Sequence, residues 1–297
     1  MLGLGSSLTS GASLDTFSPE QITGLMAWFD FTDITTVFKD DGSGGYETPS
    51  DGENISKVIN KAATFSSTTR INDFVAQATT GSQPPINFGR VNGLSAINFS
   101  DNDYLESNIS TGNVATNQMS LTDLDMDKYT VFVVYKASSA TITGSDHLND
   151  QFVFAFQDPF RKSKGWVCDA GDDHIKFHFN YTNSDSKVID SNTAWPTSSF
   201  EYWGLRSNNT PQQRIYKNGS VLATTTVDYS SFDAVLMINN SFIEFTIGSG
   251  FGHTSFGGPG TGRQFNGEIA EIIMYKRVLS DDEFDNVNNY LSSKYAI

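Results

Sequence analysis

The sequence predicts an all-β fold, an antiparallel sandwich closed by one short C-terminal helix. Three observations point there. Aromatic residues fill 13% of the 297 positions and charged residues only 18%, which suits half-buried strands better than helices with charged outer faces. Short runs of alternating apolar and polar residues recur along the chain, separated by Gly, Asn, Asp and Pro turns. Strand and helix patterns do not alternate, so nothing suggests a parallel sheet. A chain of this length can make one large sandwich whose core needs no disulfide or metal.

Residues 1–16 read as an extended arm rich in Ser and Gly, and residues 17–297 as one domain. Ser18-Pro19-Glu20-Gln21 predicts a helical turn with Ser18 as cap and Pro19 at its first position. The apolar run LMAWFDF follows as a strand. Residues 40–52, DDGSGGYETPSDG, read as a turn-rich loop. Asn92-Gly93 is a tight-turn dipeptide ahead of a strand over residues 94–99. The run YTVFVVYKAS from Tyr129 is apolar on both faces, as in a central strand covered on each side.

Alternation in QFVFAF puts Phe152, Phe154 and Phe156 on one face. In HIKFHFNY, Ile175, Phe177, Phe179 and Tyr181 share one face, with His174, Lys176, His178 and Asn180 on the other. FEYWGLRS and FIEFTIG add strands, and RIYKNGSVLA forms a hairpin about Asn218-Gly219.

The last segment, GEIAEIIMYKRVLSDDEFDNVNNYLSSKYAI, changes period midway. Ile269 to Tyr275 is apolar on both faces except for Glu271, as in a buried strand. Strict alternation sends Glu268 and Glu271 to opposite faces. Ser280 and Glu283 form a capping box, and Leu279 and Phe284 a hydrophobic staple. Asp281 and Asp282 suit the positive end of the helix dipole and Lys294 the negative end. Phe284, Val287, Leu291 and Tyr295 make one apolar stripe for docking.

These pieces, in this order, resemble the concanavalin A-like lectin/glucanase (laminin-G-like) superfamily, in a version found in bacterial and bacteriophage proteins. The resemblance covers about residues 17–297. It rests on GLMAWFDFTDITTV, QATTGSQPPINFGRVNGLSAINFSDNDYLES, RIYKNGSVLA and the closing strand and helix. VINKAA stands where a tryptophan-bearing W-x-D-K-S-G segment is common, and this chain has Ile59 and Asn60 instead. The start MLGLGSSLTSGAS is similar to those of phage virion proteins, including cyanophage ones. The resemblance implies a concanavalin A-like jelly roll, and a non-enzymatic virion structural protein in capsid decoration, neck, tail or fibre. Such a protein would be assembled in a host cytoplasm in several copies. It would dock on other virion proteins through residues 1–16 and a sandwich surface, with host glycan as a further partner. The alternative function is a carbohydrate-binding module or adhesin; a glycan-active hydrolase or lyase comes third.

Composition narrows the ligands. A net charge of −15 repels phosphate backbones and anionic membranes, so neither nucleic acid nor membrane is expected. No apolar run is long enough to span a bilayer, and the N-terminus carries no signal-peptide pattern. Cys168 is the only cysteine and reads as a small buried residue.

Catalytic motifs are missing. The superfamily's glucanases carry E-x-D-x-x-E on one strand, with carboxyl groups about 5 Å apart in retaining enzymes. No such run occurs, and no catalytic residue is assigned. His174 and His178 lie about 13 Å apart along an extended strand and cannot chelate one ion. Asp123, Asp125 and Asp127 lack the Gly and Glu of an EF-hand, so no metal or other cofactor is assigned. Glycan sites combine an aromatic platform with short polar groups and carboxylates. Two clusters have that composition: Trp166 with Asp169, Asp172 and Asp173, and the loop holding Phe251, His253, Phe256 and Arg263. Trp28 and Trp203 lie in apolar strand runs and are expected in the core, while Trp195, ahead of Pro196, suits either a cover over a sheet edge or an exposed position.

Overall fold

In the computed structural model the described residues are 17–62, 74–76, 83–100, 103–107, 128–138, 151–157, 163–168, 173–181, 186–207, 213–225, 244–249 and 264–297. The strands, in chain order, begin with β1 (Leu25–Asp30), β2 (Val37–Asp40), β3 (Tyr46–Glu47), β4 (Lys57–Val58), β5 (Phe74–Ala76) and β6 (Ile86–Val91). Next come β7 (Leu94–Phe99), β8 (Leu105–Ser107), β9 (Tyr129–Ala137), β10 (Gln151–Gln157), β11 (Ser163–Cys168) and β12 (His174–Tyr181). The last are β13 (Ser186–Ala194), β14 (Glu201–Ser207), β15 (Gln213–Lys217), β16 (Ser220–Thr225), β17 (Glu244–Ile247) and β18 (Gly267–Tyr275), followed by helix α1 (Asp281–Tyr295).

They form two antiparallel sheets. The first runs β16-β15-β14-β9-β18-β7-β6, with β1 also paired to β18. β7 takes the start of β18 and β1 the rest, so two strands share one edge of β18. The second sheet runs β13-β12-β11-β10-β17-β8-β5-β4-β2-β3.

Between the sheets lies the main core. Trp166 of β11 meets Trp203 of β14 edge to face at 6.0 Å, and its indole N–H donates to the Tyr135 hydroxyl at 3.2 Å. Phe29 and Phe245 bring β1 and β17 together. β18 is buried along its full length, as its double-faced apolar pattern requires. Its inner face feeds the main core. Its outer face packs with Trp28, Phe132, Val134 and Tyr202 under α1. The expected two-residue turns are both present, with positive φ at Asn92 (48°), Gly93 (77°), Asn218 (46°) and Gly219 (78°).

Helix α1 forms as its sequence dictates. Ser280 Oγ accepts from the Glu283 N–H at 3.3 Å, and Glu283 Oε2 accepts from the Ser280 N–H at 3.0 Å. Leu279, Phe284, Val287, Leu291 and Tyr295 are all buried against the outer sheet face. Arg277 grips Glu283 through both terminal guanidinium nitrogens, at 2.7 and 2.5 Å. That bond, against a smaller opposing effect of burial, holds the Glu283 carboxyl down to about 2 from its ordinary 4.5. A depressed folded-state pKa contributes stability above the unfolded value, lost as pH falls from about 4.5 towards 2. Glu283→Gln should therefore cost about 1 kcal/mol at neutral pH, modest because the pair is partly exposed. The difference from wild type should vanish near pH 2 in denaturant titrations; a pH-independent difference would contradict this origin.

Three sequence expectations need correction, two of them because of β-bulges. Phe152 pairs with Val167 and Phe154 with Trp166, so Val153 is an extra residue in β10. Phe154 therefore joins the main core, while Phe152 packs with Ala155 and Val167 in a separate cluster. In β18, Ile269 pairs with Tyr135 and Glu271 with Val134, which leaves Ala270 as an extra residue. The phase of alternation slips there, and Glu268 and Glu271 end on the same outer face. The third concerns residues 40–52, which hold a strand, β3, paired with β2. Residues 1–16 lie outside the described residues.

Candidate functional site

Of the predicted glycan-site residues, Trp166 is corrected. It is fully buried in the core, because alternation on β11 turns its ring towards β14 instead of solvent. Asp173 is exposed, with φ of 61°, just before β12. Asp169, Asp172, Phe251, His253, Phe256 and Arg263 lie outside the described residues, as do Asp123, Asp125 and Asp127. Trp28, Trp195 and Trp203 are buried, and Trp195 closes over β12 with its indole N–H donating to the His174 carbonyl at 3.1 Å. Cys168 is buried and, as the one cysteine of the sequence, forms no disulfide within the chain. Among the described residues, no group of three or more His, Cys, Asp and Glu could hold a metal ion. Nor is any helix among them long and apolar enough to cross a membrane.

One concentration of charge lies beneath α1. Glu271 is completely buried. Its Oε1 accepts from Trp28 Nε1 at 2.6 Å and the Tyr290 hydroxyl at 2.9 Å. Its Oε2 accepts from the Tyr295 hydroxyl at 2.7 Å and Lys294 Nζ at 3.0 Å. Lys294 also reaches Asp30 at 2.8 Å, and Lys61 bridges Asp30 and Asp33 at 3.0 and 2.9 Å. Burial and the nearby Asp30 charge push the Glu271 pKa up. Four donors nevertheless saturate its lone pairs, an arrangement that suits the carboxylate and leaves a protonated acid one acceptor short. Burial also acts on Asp30, but Lys294 and Lys61 outweigh it and hold that carboxyl below its usual range. Asn60 completes the lock: its side chain accepts from the Trp28 N–H at 2.8 Å and donates to the Met26 carbonyl at 3.2 Å. Glu271 itself is sealed from solvent, and the cluster fastens the helix and two chain segments to the sheet.

Glu268, on the same face, is held by Arg90 through two bonds of 2.5 and 3.0 Å. Arg90 thus engages Glu268, while Trp28, Tyr290, Tyr295 and Lys294 engage Glu271.

An open site occurs at the far end of the second sheet. Val37 pairs with Val58 in the core, so Phe38 and Lys57, paired one residue on, face outward. Asp40 pairs with Tyr46, again on that outward face. Phe38, Asp40, Tyr46 and Lys57 thus share one surface. Tyr46 is 50% exposed, and Lys57 Nζ lies 5.3 Å from its ring centre. The loop that presents Tyr46 is pinned from within. Asp41 Oδ1 accepts from the Ser43 N–H at 2.8 Å, the Ser43 hydroxyl at 2.8 Å and the Gly45 N–H at 2.9 Å. Those bonds, the Ser43 hydroxyl first, lower the Asp41 pKa. On the opposite side of the same strands, Lys39 ties Glu47 and Glu53 together at 3.1 and 2.6 Å.

A flat ring held in place beside an acid and an ammonium can stack on the apolar face of a sugar while neighbours bond its hydroxyls. Tyr46 is hard to single out from the residues alone, because six turn-forming residues precede it and β3 is only two residues long. The visible signal was the alternating VFKD run ahead of a Gly-rich reversal.

No family model matches the sequence, and no curated protein matches it. Among solved structures, the chain is similar to the Ruminococcus gnavus IT-sialidase CBM40 bound to α2,3 sialyllactose, at 18% identity and TM-score 0.43, over 59% of this chain and 89% of that one. It is also similar to domain 4 of AbnA, a GH43 extracellular arabinanase from Geobacillus stearothermophilus in complex with arabinotriose, at 14% identity and TM-score 0.43, over 89% and 98%. A third is Trypanosoma rangeli sialidase, at 13% identity and TM-score 0.47; the match covers 92% of this chain and spans only 33% of that enzyme. The sugars named belong to those proteins. This chain's own strand pairing forms an antiparallel β-sandwich with one C-terminal helix.

Proposed function

We propose that the chain is a carbohydrate-binding β-sandwich module that holds a glycan without cleaving it. The observation that carries this is Tyr46, a half-exposed ring on a pinned hairpin, sharing its face with Phe38, Asp40 and Lys57. Non-cleavage is supported by the engagement of the two strand glutamates, Glu271 sealed beneath α1 and Glu268 clamped by Arg90. The virion role implied by the sequence resemblance rests on residues 1–16, which none of the described residues addresses.

Replacement of Tyr46 by Ala should weaken glycan binding about tenfold, the loss of one stacking partner. The melting temperature should stay unchanged, since the ring is half in solvent. Affinity electrophoresis against a polysaccharide panel reads the first and calorimetry the second. Retention of every bound polysaccharide by Tyr46→Ala would remove this face from the reading. Reducing-end release by the wild-type chain would overturn non-cleavage.

A further inference from the structure

We infer that the ligand is an uncharged oligosaccharide chain that runs along the rim of the sandwich from Tyr46 to Phe88. This rests on the carbohydrate-binding proposal and names the class of ligand.

Tyr46 and Phe88 are the two exposed aromatic rings among the described residues, at 50% and 41%. They come from different sheets, yet one short segment joins them. After Tyr46 the chain turns and runs beside β6: the Gly52 N–H donates to the Ile86 carbonyl at 2.7 Å, the Ile86 N–H to Glu53 at 3.0 Å, and the Ile55 N–H to Pro84 at 2.9 Å. Asp51 then accepts from the Phe88 N–H itself at 2.7 Å. Tyr46 and Asp51 are five positions apart, so their Cα atoms are at most about 17 Å apart, and closer with a turn between them. Over a reach of that order, a few linked sugar rings can contact both platforms.

Phe88 is also placed outward by backbone, not by chance of rotamer. Pairing of β6 with β7 breaks between Asn87 and Val91, so residues 88–90 bulge from the sheet edge. Gly89 there has φ of 69°, and a Cβ added to it would meet nothing within 4 Å.

The charges along this rim are already matched. Lys39 is taken by Glu47 and Glu53, Arg90 by Glu268, and Lys57 lies against Tyr46. Asp40 and Asp51 accept backbone amides, at 2.7 Å each. Among the described residues of the rim, no cation stands apart from a carboxylate or an aromatic ring, and the net charge of −15 repels a polyanion. Balanced charges and two apolar rings suit a neutral polyol chain.

The test is calorimetric titration with neutral ladders, namely cello-, xylo-, manno- and laminari-oligosaccharides from one to six sugars. Polygalacturonate serves as an anionic control. The expected result is that at least one ladder binds, with affinity rising about tenfold between the disaccharide and the hexasaccharide. Phe88→Ala should abolish that rise and leave the disaccharide unaffected; Tyr46→Ala should weaken every length. Length-independent affinity, or a hexasaccharide indifferent to Phe88→Ala, sinks the bridging chain while leaving the Tyr46 platform intact. Tyr46-dependent binding of polygalacturonate alone overturns the uncharged class. Binding of neither ladder nor polygalacturonate overturns the inference, and with polysaccharide-panel binding also absent, the proposed function as well.

Discussion

Replacement of Glu271 by Gln is expected to cost about 3–5 kcal/mol of folding stability, the usual loss when one partner of a buried ion pair is removed. The substitution barely changes volume, so the effect isolates charge and hydrogen bonding. Four donors converge on the carboxylate: Trp28 Nε1, the Tyr290 and Tyr295 hydroxyls, and Lys294 Nζ. An amide brings two donors of its own into that ring. At least one N–H then faces another donor, and Lys294 is left to Asp30 alone. Three of the four donors stand on α1 and the fourth, the Trp28 indole, packs edge to face on Tyr290, so the helix should loosen first. Denaturant midpoints measure the loss, and hydrogen exchange should show α1 opening below the global transition. A change under about 1 kcal/mol would mean that water or a rearranged Lys294 replaces the carboxylate at little cost.

Replacement of Trp166 by Ala should cost a similar amount, about 3–5 kcal/mol, for a different reason. The indole is fully enclosed and touches Trp203 at 6.0 Å and Phe177 at 6.2 Å, so the change opens a cavity between the sheets. It also strips the Tyr135 hydroxyl of the indole donor. This variant separates core from ligand contact. At temperatures where it remains folded, its glycan affinity should equal that of wild type. Loss of affinity without loss of stability would return Trp166 to the binding surface and contradict its burial.

Much of the architecture was legible in the residues, for local reasons. Ser280, Glu283, Leu279 and Phe284 specify a helix start through neighbours only, and all four behave as their spacing demands. Asn92-Gly93 and Asn218-Gly219 do the same for hairpins. Features that depend on partners distant in sequence were not legible. Lys294 looked like a dipole partner at a helix end, yet its ammonium serves Asp30 and Glu271, residues from two different strands. Trp166 had the composition of a sugar platform because Asp169, Asp172 and Asp173 surround it in sequence; the direction of its ring is decided by β11 pairing. Tyr46 was hidden for the opposite reason, a single aromatic among turn residues whose neighbours Phe38 and Lys57 arrive from other strands.

The extra residue at Ala270 makes β18 a phase shifter. Before it, odd-numbered positions look into the sandwich, as Ile269 does; after it, even-numbered ones do, as Ile272 and Met274 show. A single inserted residue thereby lets one strand deliver Glu268 to Arg90 and Glu271 to the helix from the same side. Deleting Ala270 would do more than shorten the strand. The segment beyond it would have to slip along β9, or exchange its faces and carry Glu271 into the apolar interior. A carboxylate pair scored by simple parity in sandwiches of this kind is therefore reliable only on the near side of the first bulge.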